Sequence, residues 1–186
     1  MFRLRSFLSA VCASLCLMGA GSASAALFDR GGGLIYDSAL NVTWLQDANY
    51  AKTSGYDGDG SMNWITANTW AANLIFHDSV RNVDYTDWRL PKINAQFGFN
   101  LNCTSYDGSS DCGFNISNSN NEIAHLFYVS LSNSGSYDTQ GNVNLPHTLN
   151  SGLFKNLQIS RYWTGTQLPP PELGRGKPLH LKLAPA

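Results

Sequence analysis

Met62-Asn63-Trp64-Ile65-Thr66-Ala67-Asn68-Thr69-Trp70-Ala71-Ala72-Asn73-Leu74 spaces its large apolar residues as a helix does. Trp64, Ala67, Trp70, Ala71 and Leu74 fall on one face, and Ser61 is placed to cap the start. Upstream, Leu34 to Leu45 alternates loosely and is rich in Val, Ile, Thr, Tyr and Trp. That predicts one or two short strands with a turn near Asp37-Ser38. Downstream, Ser119-Asn120-Asn121-Glu122 has the form of a capping box. It would open a second helix with the apolar stripe Ile123, Leu126, Phe127 and Leu131. Leu157 to Thr166, carrying Tyr162 and Trp163, reads as another strand. Two or three helices among short strands and long loops of Gly, Asn and Ser predict an α+β domain.

The N-terminus gives the chain an address. Arg3 and Arg5 precede an apolar run from Phe7 to Ala20, and Ala23-Ser24-Ala25 supplies an A-x-A cleavage site, the pattern of a secretory signal peptide over residues 1–25. The run is shorter than the ~20 apolar residues a membrane span needs. No membrane anchor is expected in the mature chain. Of the 186 residues, 161 follow position 25, enough for one domain with its own core. Taking Arg3 and Arg5 from the 12 Lys and Arg leaves 10 against 13 acidic residues, a net charge near −3. A chain without a basic stripe is not built to hold phosphates, so nucleic acid is excluded as a partner class.

Cys103 and Cys112 are the two cysteines beyond the signal segment. The stretch between them holds Tyr106-Asp107-Gly108-Ser109-Ser110, which is turn chemistry. In an oxidising compartment the pair is expected to form a disulfide closing a small loop. A metal site would want closer cysteine spacing and further ligands.

Other groupings carry chemistry less directly. Glu122-Ile123-Ala124-His125 is an E-x-x-H, but the chain has only Glu172 besides, so capping explains Glu122 better than metal binding. Asp57-Gly58-Asp59-Gly60-Ser61 resembles the opening of a calcium loop, with Asp57 and Asp59 as candidate ligands for a hard cation. An EF-hand would need Gly where Met62 stands and Glu where Asn68 stands. There is no G-x-S-x-G, and His77, His125 and His147 have no neighbouring nucleophile pattern. In Asp87-Trp88-Arg89-Leu90-Pro91, an extended backbone puts Trp88 and Leu90 on one face and Asp87 and Arg89 on the other, with proline ending the strand. Trp88 is read here as a buried, architectural residue.

Taken together, these strings resemble the Lcl C-terminal domain family of secreted bacterial proteins. Gly33 to Asp37 and Asn41 to Tyr50 look like its opening, and Met62-Asn63-Trp64 like its first helix. Asp87 to Pro91 matches its hallmark string, Glu122 to Tyr128 its second helix, and Tyr162-Trp163-Thr164-Gly165-Thr166 its late aromatic strand. The resemblance runs from about Gly31 to Thr166 and implies a C-type-lectin-like domain, related to sulfatase-activating domains, over residues 26–167. It also implies a surface or matrix protein. The family's namesake binds sulfated glycans through positive charge, which this acidic chain lacks, and formylglycine-generating relatives use cysteines near their C-terminal end.

The function expected is a secreted, non-catalytic module that binds polysaccharide or another cell-surface ligand, with Tyr56, Tyr106 and Tyr137 as stacking residues in polar loops. The alternatives are a secreted, metal-assisted enzyme and a purely structural surface protein. The family continues past Tyr-Trp-Thr-Gly-Thr with more aromatic strands. Here Pro169-Pro170-Pro171 leads into a Gly- and Pro-rich stretch. Residues 168–186 are therefore expected to be extended or disordered, leaving an exposed sheet edge.

Overall fold

Three short strands open the fold because Gly and Asn turns break an otherwise apolar, β-branched stretch. A computed structural model describes residues 26–94, 96, 102–145 and 148–167, and the backbone of 178–182. The signal segment lies outside the described residues. Strand β1 (Leu27–Gly31) pairs antiparallel with β2 (Leu34–Asp37), which pairs antiparallel with β3 (Val42–Leu45). The Leu34–Leu45 stretch is thus two strands. The buried Asp37 carboxylate builds the turn between them by accepting the Ala39 and Leu40 N–H groups at 3.0 and 3.1 Å. Asn41, at φ 52°, carries the chain into β3.

Helix α1 is a single turn, Tyr50–Thr53, and α2 spans Trp64–Asn73. The cap of α2 is Asn63, not Ser61: its Oδ1 accepts the Thr66 N–H at 2.9 Å. Asn63 stands directly before the first helical residue, so its amide oxygen reaches the third residue on, whereas Ser61 lies two residues too far upstream. Ala67 and Ala71 are buried, while Trp64 and Trp70 are only partly so. A hairpin follows, β4 (Phe76–Asp78) with β5 (Val83–Tyr85).

The second predicted helix begins as α3 (Glu122–His125) and widens into a π-helical turn over Leu126–Ser130. The expected capping box does not form. Asn121 caps α3 by accepting the Ala124 N–H at 3.0 Å, and Glu122 reaches away from the helix to Arg89. With Asn121 in the cap position Glu122 is the first helical residue, two positions too early for a reciprocal bond. Ile123, Ala124, Leu126, Phe127 and Leu131 form the core with Ile35, Ile116 and Phe154. Trp44, Tyr128, Leu157 and Tyr162 pack against it.

The late aromatic strand is β6 (Arg161–Gln167). Within the tail expected to be extended or disordered, Pro178–Lys182 forms β7, antiparallel to β6, with Tyr162 opposite Leu181 and Trp163 opposite His180, and the rest of 168–186 lies outside the described residues. The edge expected to stand open is taken by the chain's own tail. Leu179, Leu181 and the residues between offer a period-2 apolar pattern that a composition-based reading of the tail overlooks. The mix of a few helices with short antiparallel strands is α+β, as the spacing predicts. Among the described residues no helix is long and apolar enough to cross a membrane.

Candidate functional site

Asp87 to Pro91 has the alternation expected of an extended chain but joins no ladder. Trp88 and Leu90 are partly buried, and Asp87 and Arg89 are exposed. Two neighbouring elements, α3 and β6, hold it. The Arg89 guanidinium grips both carboxylate oxygens of Glu122 at 2.7 and 2.8 Å. The Lys92 N–H donates to Glu122 Oε2 at 2.8 Å, and the Gly165 N–H of β6 donates to the Pro91 carbonyl at 2.8 Å. One residue further, the Thr166 hydroxyl accepts from the Ile93 N–H and donates to its carbonyl.

Held this way, the segment forms one wall of a groove of about 1020 Å³. Four of the chain's five tryptophans line it: Trp44 from β3, Trp70 from α2, Trp88, and Trp163 from β6. Tyr50, Tyr85 and Tyr162 line it too. Trp88 is therefore half-buried at a groove, a correction to its reading as an interior residue. Several rings are braced from behind or beside. Phe76 packs edge-on against both Tyr50 and Trp88, with centroids 5.5 and 5.8 Å away. The Trp88 Nε1–H donates to the Tyr85 carbonyl at 3.1 Å, and the Trp163 Nε1–H to the Met62 carbonyl at 2.7 Å. Trp64 lies outside the lining; its Nε1–H reaches Thr164 O at 2.7 Å and ties α2 to β6.

Charges along the groove balance. Arg30, Lys52, Arg89 and Arg161 stand against Asp47, Asp59, Asp87 and Glu122. Burial alone would raise the Glu122 pKa, but the hydrogen bonds from Arg89 and the Lys92 N–H outweigh it and hold the carboxyl below the ordinary glutamate value. The same contact raises Arg89. Asp47 is occupied by structural donors: the Asn49 N–H, the Thr53 hydroxyl and the Asn156 amide. Asp47 and Glu122, the partly buried carboxylates of the groove, are thus committed to holding the fold.

The residues expected to stack on a ligand fall in two places. Tyr106 and Tyr137 come together, centroids 4.9 Å apart, and share Phe114 as a neighbour at 5.7 and 5.1 Å. They form a small aromatic cluster over the loop closed by the Cys103–Cys112 disulfide, whose Cα atoms are 4.7 Å apart. Tyr56 is elsewhere, exposed beside Trp70 at 6.1 Å and next to the groove. Asp57 and Asp59 sit in consecutive turns. Asp57 Oδ1 accepts the Asp59 and Gly60 N–H groups, and Asp59 Oδ1 accepts the Ser61 N–H. These backbone donors lower the Asp57 pKa. Among the described residues, no three His, Cys, Asp or Glu side chains gather as a metal site would require. Glu122 and His125 do not meet as a pair: His125 is buried, and among the described residues its Nδ1 has no hydrogen-bond partner.

In the residue order alone, the groove tryptophans read as core residues or as part of a structural motif. The signal available was their number, five tryptophans in a chain with only 13% charged residues. No family model, curated protein or solved structure matches this chain.

Proposed function

We propose that the chain is an exported, non-catalytic module that binds glycan or matrix material through the tryptophan-lined groove. The observation that carries this reading is the gathering of Trp44, Trp70, Trp88 and Trp163 with three tyrosines along one open groove. Sugar rings present apolar C–H faces that stack on aromatic rings, while their hydroxyls accept hydrogen bonds from amide N–H groups and donate to carbonyl and carboxylate oxygens alongside. Asn41, Asn49 and Gln158 supply such groups here. The commitment of Glu122 and Asp47 to structural hydrogen bonds weighs against a paired-carboxylate hydrolase, in which two carboxyl groups must be free to act on substrate.

Export belongs to the same proposal. The A-x-A pattern before Ala26 and the Cys103–Cys112 disulfide both suit an oxidising compartment. So does the C-type-lectin-like arrangement proposed for the fold, supported by its short strands, long loops and the strings quoted for the Lcl C-terminal domain resemblance. A glycan array probed with the mature protein, with and without calcium, tests the function. Binding that is lost in Trp163→Ala while the variant keeps its melting temperature supports the reading. A folded protein that retains no glycan overturns it.

A further inference from the structure

Resting on the glycan-binding reading of the same groove, the geometry points to a narrower ligand class: we infer that the groove takes an uncharged oligosaccharide several pyranose units long. Size comes first. The groove's volume of about 1020 Å³ lies at the top of the ~300–1,000 Å³ range of pockets that enclose one drug-sized ligand. It is lined from β3, α1, α2, β5 and β6 rather than closed around one point. A chain of sugars fits such a groove, and a single monosaccharide leaves most of it empty.

Charge decides the class. An acidic polysaccharide needs a surplus of cations along its path, and a basic one a surplus of carboxylates. The groove offers neither, with four of each lining it. One of the cations is already neutralised, since Arg89 spends its fork on Glu122. Arg30 is turned to the Thr43 hydroxyl at 2.9 Å. On the acidic side Asp47 and Asp59 serve local donors. Lys52, Arg161 and Asp87 remain, exposed and of mixed sign, so what the groove offers a ligand is apolar ring surface without a surplus of either charge.

The indole donors point the same way. Trp88 and Trp163 use their N–H groups on protein carbonyls, so their remaining contribution is carbon surface. Carbon surface recognises the C–H face of a neutral pyranose without regard to charge.

The test is calorimetric titration of the mature protein with a matched series of hexasaccharides: neutral hexose, uronate, sulfated, and amino-sugar. A proline-rich peptide serves as a control for the other polymer that aromatic grooves accept. The neutral hexasaccharide is expected to bind more tightly than its disaccharide, with a Kd that moves less than about twofold between low and high salt. Trp70→Ala, at a half-buried helix position, and Trp88→Ala are each expected to weaken it about tenfold, with circular dichroism confirming the fold. Binding confined to uronate or sulfated chains and collapsing at high salt overturns the neutral class and leaves the glycan reading standing. Folded protein that binds no saccharide of the series, or binds only the peptide, overturns both.

Discussion

Arg89 and Glu122, 33 residues apart in sequence, form a two-point ion pair at 2.7 and 2.8 Å that ties the Trp-Arg-Leu-Pro string to the first turn of α3. Glu122 is nearly enclosed, with 12% of its side chain exposed, and Arg89 is 40% exposed. The pair fixes the backbone from which Trp88 enters the groove, so stability and ligand binding meet in it.

Arg89→Ala is expected to cost about 1–3 kcal/mol, because it leaves an enclosed carboxylate with fewer donors. Arg89→Lys should recover only part, since an ammonium cannot make the two-point contact. Chemical denaturation of the single and double variants with Glu122→Gln measures the coupling. A coupling energy near zero would show that the pair contributes geometry without stability.

The Glu122 pKa is lowered in the folded protein, so between the folded and unfolded values the unfolded chain binds more protons. Stability is fully present above the ordinary glutamate range, ~4.3, and falls as pH drops through the lower folded value. Melting temperatures measured across acidic pH should show this loss. The slope should be shallower in Glu122→Gln, and an unchanged slope would exclude Glu122 as a source.

His125 works in the same direction from the other charge type. Burial lowers its pKa and the nearby Asp37 carboxylate opposes this only in part, so the neutral ring is favoured in the fold. Its contribution to stability is present above ~6.5 and lost as pH falls through the lowered folded value. NMR titration should find the His125 ring changing below the ordinary histidine midpoint. A midpoint above ~6.5 would contradict the burial described for it.

The Cys103–Cys112 disulfide closes a loop with a sequence separation of 9. Its loss in the Cys103→Ser, Cys112→Ser double variant is expected to cost about 2–3 kcal/mol. Folded exported protein should show no titratable thiol. Two free thiols in folded material would mean that the loop around Tyr106 and Phe114 is held by packing alone.

Strand β7 makes a prediction about the tail. Backbone amides in 180–182 should exchange with solvent slowly, together with those in 161–163 that face them. Rapid exchange in 180–182 beside protected 161–163 would show β6 to be an edge, with the association hazard that brings.

Local chemistry was legible in the residue order because its interactions span only a few positions. The 3.6-residue spacing from Trp64 to Leu74 dictates a helix wherever that segment lies, and two cysteines around a Gly-Ser turn can meet without help from the rest of the chain. The apolar stripe of Ile123, Leu126, Phe127 and Leu131 likewise announces a buried face. Contacts across long separations were decided by the tertiary structure. Whether Glu122 caps its own helix or pairs with Arg89 depends on where the chain returns. Trp163 could read as interior until β6 came to rest with Met62 and Trp88 around the same groove. A tryptophan's apolar surface makes the same demand for cover at every position in a sequence. Whether protein supplies that cover, or a ligand is left to supply it, is settled only when segments a hundred residues apart are packed together.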